Sequence, residues 1–394
     1  MSEASIEQPL GDNRRRARDL GITIGRLTPG PWNAITDVPG VRVGHATLIA
    51  GHGPLVVGQG PVRTGVTVIL PHGDNLFRHK VRAAVHTING FGKVRGFEEV
   101  REMGVVETPI ALTNTLNVGL VADALVQYMI RHNPDIGITT STANVLVGET
   151  HDGYLNDIQG RHVHAEHVWA AIESAMPGPV AEGAVGAGTG TSCFGWKGGI
   201  GTASRVVPSE AGRYTVGALV QSNFGRPRDL TVCGVPVGRL IRAPDPALLP
   251  PIDRGSVMVI LATDAPLSER QLRRLCVRAA AGLARTGSHY GHGSGDFVIA
   301  FSTAWRVEHE PTSLTTTQTV LADEAQAMGW LFPAVVESVE EAVLNSLFRA
   351  DTVAGRDGHM RHALPVEQVV ALVSDAYSRF SPPSSSNSAG TYVS

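Results

Sequence analysis

Short runs rich in valine, isoleucine and leucine alternate along the chain with longer stretches in which apolar residues recur every three or four positions. The runs at 66–70, 109–112, 216–221, 257–261 and 297–301 predict strands. The clearest helix follows Ser268, a residue type that caps helix starts. Leu272, Leu275, Cys276, Ala279 and Leu283 fall at helical spacing, and Arg270, Arg273, Arg274 and Arg278 occupy the more polar side. Those arginines read as a solvated face. Further helices are expected over 118–131, 164–175, 335–350 and 366–379. Strands alternating with helices make the fold α/β or α+β, with no internal repeat of fixed period.

One segment breaks this rhythm. Residues 242–254 carry Pro244, Pro246, Pro250 and Pro251 and end in Asp253-Arg254-Gly255, which predicts an exposed linker just before the apolar strand at 257–261. At the ends, the polar, charged first residues and the Ser-rich 381–394 bury too little apolar surface to order by themselves. Residues 1–24 are therefore expected to form a flexible arm and 381–394 a disordered tail.

Composition narrows the function classes. At roughly 150 residues per domain, 394 residues make two or three domains or one large unit. Lys and Arg number 33 against 36 Asp and Glu, a net charge of −3, so no cationic excess suits nucleic acid or an anionic membrane surface. No apolar run reaches the ~18 residues of a spanning helix. With 45 Gly, 24 Pro and only 5% aromatics, the chain turns often and its loops build the site. Cys193, Cys233 and Cys276 are too few and too far apart for a disulfide framework or zinc ribbon. Arg14, Arg15 and Arg16 are not followed by the apolar stretch of a secretory signal, and a reducing, cytoplasmic location is expected.

Local chemistry is ambiguous. His162, His164, Glu166 and His167 come close to the H-x-H-x-D-H string of binuclear metallohydrolases, but they lack that family's downstream ligands and lie where a helix starts; the plainer reading is a polar strand-to-helix turn. The glycines between 183 and 201 do not fit a dinucleotide fingerprint, and Lys197 lacks the frame of a phosphate-binding loop. They serve either tight turns or a cluster of backbone N–H groups for a carboxylate or oxyanion. No G-x-S-x-G elbow exists, and Gly255-Ser256 reads locally as an ordinary turn before a strand.

Several separated strings together carry a resemblance. They are ITDVPGVRVGH at 35–45, LTNTLNVG at 112–119, VGET at 147–150 with DGYLND at 152–157, and GAGTG at 186–190. VQSNFG at 220–225, Gly255-Ser256 with ATDAPL at 262–267, and GSGD at 293–296 with AFST at 300–303 complete the order. Over 25–377 the chain resembles the L-aminopeptidase D-Ala-esterase/amidase and β-peptidyl aminopeptidase family of N-terminal nucleophile hydrolases.

The resemblance implies an α+β fold, an αββα sandwich shared with the ornithine acetyltransferases. It also implies a precursor that cuts itself between Gly255 and Ser256, separating 25–255 from 256–380 within one domain. Ser256 would then be nucleophile and, through its freed α-amine with an ordinary pKa near ~8, its own base. By the same resemblance Ser294 and Asp296 orient that amine, Asn223 donates to the oxyanion with help from Tyr154, and Glu149 with Asp152 holds the substrate ammonium. Some relatives carry Glu where this chain has Asp296. Glu149 and Tyr154 also have a plainer reading, as residues tying down the loop around Gly153. The expected substrate is a small peptide, amide or ester with a free amino terminus. No metal or organic cofactor is implied, and the assembly is a homo-oligomer, a tetramer by resemblance. Nylon-oligomer hydrolases share the fold but favour Thr at the nucleophile. Competing with these enzymes are a processed protein that only binds and a metal-dependent hydrolase using His162, His164 and His167.

Overall fold

Alternation along a single strand sets out the architecture. Between Ser256 and Thr263, Val257, Val259 and Leu261 join one apolar cluster while Met258, Ile260 and Ala262 join another, so the strand is buried on both faces. The computed structural model describes residues 14–208, 210, 212–242, 255–322 and 324–380. The expected linker, from 243 to 254, and the expected tail, 381–394, lie outside the described residues.

In chain order the strands are β1 (Arg42–Ala50), β2 (Val62–Leu70), β3 (His79–Gly90), β4 (Val105–Val106), β5 (Ile110–Asn114) and β6 (Leu146–Thr150). They continue with β7 (Ser192–Cys193), β8 (Trp196–Lys197), β9 (Ile200–Val206), β10 (Thr215–Asn223), β11 (Ser256–Thr263) and β12 (Gly295–Glu308). One sheet has the order β1-β2-β5-β6, the other β4-β3-β12-β11-β10-β9, and β7 with β8 forms a small hairpin. Within the two sheets only β5–β6 and β11–β12 pair in parallel, which makes the fold α+β.

The sheets stack through a core that includes Ile69, Ile110 and Leu146 from the first and Val85, Met258, Ile260 and Ile299 from the second. Helices α1 (Phe97–Met103), α2 (Val118–His132), α3 (Ala165–Glu173), α4 (Glu269–Arg285), α5 (Glu324–Phe348) and α6 (Val366–Phe380) follow in sequence. Helices α2 and α3 cover the outer face of the first sheet, α4 and α5 that of the second, giving the αββα order. Gly201 shows how closely α5 seats on β9: a Cβ there would run into the Ala342 carbonyl oxygen. No described helix is long and apolar enough to cross a membrane.

The helix after Ser268 forms as expected, its cap oxygen accepting the Gln271 N–H while Ser268 N–H donates to the Gln271 side chain. Helix α5 begins eleven residues earlier than its expected start at 335, because the pattern there is interrupted by Gly329 and Pro333. The flexible arm is a correction. From residue 14 onward it is packed: Arg16 pairs with Glu182 at 2.6 Å, Arg18 with Glu341 at 2.8 Å, and Ala17, Ile22 and Ile24 are buried. Its arginines find buried carboxylates on distant elements, a partnership with no local signature. Glu341 also receives the fully buried Arg205 at 2.5 Å, and Glu337 receives Arg205 at 3.0 Å.

Candidate active site

The site lies where β10 ends and β11 and β12 begin in the second sheet, beside the end of the edge strand β6 of the first. Antiparallel pairing of β10 with β11 sets Asn223 opposite Ser256, and parallel pairing of β11 with β12 sets Gly295 beside Ser256. Ser256 is thereby the first residue of a central strand, its hydroxyl on the side of Met258 and Ile260, facing the other sheet. Two donors converge on Ser256 Oγ: Asn223 Nδ2 at 3.1 Å and the His151 backbone N–H at 3.2 Å, the latter just beyond β6. Next to it, Gly255 leaves no room for a side chain, since a Cβ would lie 2.6 Å from Phe224 Cα. Its carbonyl accepts the Gly295 N–H at 3.2 Å.

Ser294 and Asp296 flank Gly295. Both are buried, and Ser294 Oγ donates to Asp296 Oδ1 at 2.6 Å, so the shorter aspartate reaches its serine. Strand alternation puts Asp296 on the face of Val298 and Ala300, opposite that of Ser256 Oγ. The pair is thus on the α4 side of the strand and the hydroxyl on the inter-sheet side.

Glu149, at the end of β6, is buried. Its Oε1 accepts the Lys93 N–H at 3.0 Å and its Oε2 accepts the Thr115 hydroxyl. Asp152, expected beside it at the substrate, is 1% exposed: Thr64 Oγ1 donates to it at 2.6 Å and Asn156 Nδ2 at 3.1 Å. Its partners are Thr64 on β2 and Asn156 of its own loop, so in this structure the Asp152 carboxylate ties that loop down. Burial pushes the Asp152 carboxyl up to about 7. Nearby Lys197 is also buried, its Nζ donating to the carbonyls of Gly188 at 2.8 Å and Gly198 at 2.5 Å, and burial pushes it down to about 7.

Tyr154 is placed by its ring. It stacks on His359 at 4.5 Å and lies 3.5 Å from the Arg361 guanidinium carbon, while its carbonyl accepts His359 Nδ1–H at 2.8 Å. The histidine string has local partners: His162 Nε2 lies 2.9 Å from Asp157 Oδ2, and His164 N–H donates to His167 Nδ1 where α3 begins. Among the described residues no three His, Cys, Asp or Glu side chains are grouped to hold a metal ion.

The model of peptidase family S58 matches residues 33–361. The chain belongs to this family. Its similarity to the β-peptidyl aminopeptidase BapA of Sphingosinicella microcystinivorans is 43% identity over 384 residues, covering 94% of this chain and 93% of the relative. Among solved structures, the PH0078 protein of Pyrococcus horikoshii is 50% identical, with a TM-score of 0.87 over 92% of this chain and 99% of that one. The L-aminopeptidase D-Ala-esterase/amidase of Ochrobactrum anthropi, described as a variant of the N-terminal nucleophile hydrolase fold, is 39% identical with a TM-score of 0.84, covering 93% and 99%. This S58 member is accordingly an aminopeptidase/amidase with that hydrolase fold, and the resemblance carried by its separated motifs is borne out. Sequence reading missed the His151 N–H, Thr115 and Thr64 as contributors. Thr115 lies inside one of the recognised strings, whereas a backbone donor leaves no mark in a sequence.

Proposed function

We propose that this S58 chain cuts itself between Gly255 and Ser256 and then works as a serine N-terminal nucleophile aminopeptidase on small amides, peptides or esters. The observation carrying the reading is the convergence of Asn223 Nδ2 and His151 N–H on the hydroxyl of a serine whose preceding glycine sits in a slot too tight for a Cβ.

In the uncut chain, Ser256 Oγ attacks the Gly255 carbonyl carbon. The C–O bond forms, the C–N bond breaks, and the proton passes to the leaving nitrogen, giving an ester. Water hydrolyses that ester, separating the two chains and restoring the Ser256 hydroxyl beside the α-amine that C–N cleavage freed. In turnover the amine takes the Oγ proton as Oγ attacks the substrate carbonyl, then passes it to the departing amine. The Asn223 amide donates to the oxyanion, with Tyr154 beside it. Ser294 and Asp296, on the far side of the strand from Oγ, orient the amine, and Glu149 receives the substrate ammonium. Water then releases the acyl group from Oγ.

Similarity to a β-peptidyl aminopeptidase makes β-aminoacyl amides the first substrates to try, ahead of L-α and D-α compounds. The reading includes assembly of cut units into a homo-tetramer and a reducing, cytoplasmic setting, the latter supported by three free cysteines. Intact-mass analysis beside a panel of amino-acyl p-nitroanilides tests it: the smaller chain starts at Ser256, and Ser256→Ala stays whole and inactive. An uncut chain that turns over substrate overturns the mechanism. A cut chain inert on every amide and ester leaves the processed binding protein.

A further inference from the structure

The Asn223 amide donates toward Ser256 only if its NH2, and not its carbonyl oxygen, faces the hydroxyl. The two ends are nearly the same size, so packing alone does not choose between them. The choice is made at the other end, where Asn223 Oδ1 accepts the Ser192 backbone N–H at 3.0 Å. Ser192 opens the short β7–β8 hairpin, whose Cys193, Phe194 and Trp196 are buried in the core while Ser192 itself is only half-buried at its edge.

That hairpin is fastened from outside at two points by one segment. Arg361 Nε donates to Ser192 Oγ at 2.9 Å, and the carbonyl of the next residue, His362, accepts the Lys197 N–H at 2.8 Å. Arg361 is 6% exposed, and its guanidinium also lies against the Tyr154 ring, on the loop whose His151 N–H reaches Ser256 Oγ. One buried cation therefore touches the supports of both donors that converge on the hydroxyl.

We propose that Arg361 is a positioning residue of this site, acting through Ser192 to hold the Asn223 amide in its donor orientation and through Tyr154 to hold the 151–154 loop. The inference rests on the reading of Ser256 as nucleophile and Asn223 as oxyanion donor. It makes the segment around 361, far from every recognised motif of the site, part of its geometry.

The test uses Arg361→Met, Arg361→Lys and Ser192→Ala in the full chain, alone and combined with Asn223→Ala, with kcat expressed per cut molecule. Arg361→Met should lower kcat about 10-fold or more with KM within about 2-fold, since it disturbs donors used in the transition state. Arg361→Lys, which keeps a cation over the ring, should recover part of the loss. Ser192→Ala, which removes the acceptor but keeps the backbone N–H, should cost less, about 3-fold. In the Asn223→Ala background, Arg361→Met should lose no more than the share owed to the 151–154 loop, far from a full multiplication of the two effects. Full multiplication, or unchanged kcat in both Arg361→Met and Ser192→Ala, overturns the proposal. If Arg361→Met does not fold, the Ser192→Ala pair alone decides by the same criterion. Activity retained in Ser256→Ala would instead sink the underlying nucleophile reading.

Discussion

Asn223 and Ser256 face each other across the β10–β11 ladder, and the amide of one lies 3.1 Å from the hydroxyl of the other. Because both sit on strands buried in the sheet, their separation is set by strand pairing and not by a mobile loop. Asn223→Ala should therefore fold as before, yet lose about 10²- to 10³-fold in kcat as an oxyanion donor is removed. Steady-state kinetics on correctly cut protein checks this, and self-cleavage should slow as well, since it passes through a similar oxyanion.

Gly255→Ala should give folded protein that remains largely uncut. A Cβ meets Phe224 Cα at 2.6 Å and the Asn223 carbonyl oxygen at 2.9 Å, so residue 255 must move away from Ser256 and from the Gly295 N–H. A displacement of that size costs on the order of 10²-fold in rate. Denaturing gels over time read it directly, and cutting at the wild-type rate contradicts the geometry.

A free amine on the substrate is expected to be obligatory, because an acetylated one would leave the buried Glu149 carboxylate without its cation. Glu149→Gln should raise KM about 10-fold with kcat within about 3-fold, as loss of a contact shared by ground and transition states does. Efficient cleavage of an N-acetyl amino-acyl anilide would favour an internal amidase of the nylon-oligomer type.

The Asp152 carboxyl titrates near 7 in the folded protein, above the ordinary carboxylate value near ~3.9. The stability tied to its proton is fully present below the lower value and is lost as pH rises through about 7. Asp152→Asn lacks this dependence. Its melting temperature minus that of wild type should thus increase by a few degrees, to order of magnitude, from pH 5 to pH 8. A difference that stays flat or shrinks contradicts the burial argument. Activity should change less than in Glu149→Gln, since Asp152 holds the loop from beneath.

Strands 257–261 and 297–301 are legible because they are central and buried on both faces, which writes an unbroken apolar run into the sequence. Strand β1, with its exposed Arg42 and half-buried outer residues, leaves a weaker pattern that predicts no strand. The site divides the same way. Ser256, Asn223, Ser294 and Asp296 fall in recognisable strings, so the resemblance could single them out. Arg361 and Ser192 are 169 residues apart and meet only because the β7–β8 hairpin docks against the segment around 361, a contact that no window of sequence contains. Asp152 sits in a recognised string too, but which side of its loop faces inward is decided by Thr64 and Asn156.

The packed segment from residue 14, with Arg205, bears on what happens after a cut at 255. Arg18 and Arg205 on the first piece meet Glu341 on the second, and β11 and β12 of the second piece are inserted between β10 and β3 of the first. Neither product can leave without dismantling a six-stranded sheet, so cutting should be silent in the native state. In the unfolded state it is not: two chains must find each other, and refolding becomes a second-order reaction that slows on dilution. The cut enzyme would then owe its persistence to a slow unfolding rate and not to reversible equilibrium, a molecule assembled once from a single chain and not readily remade from its parts.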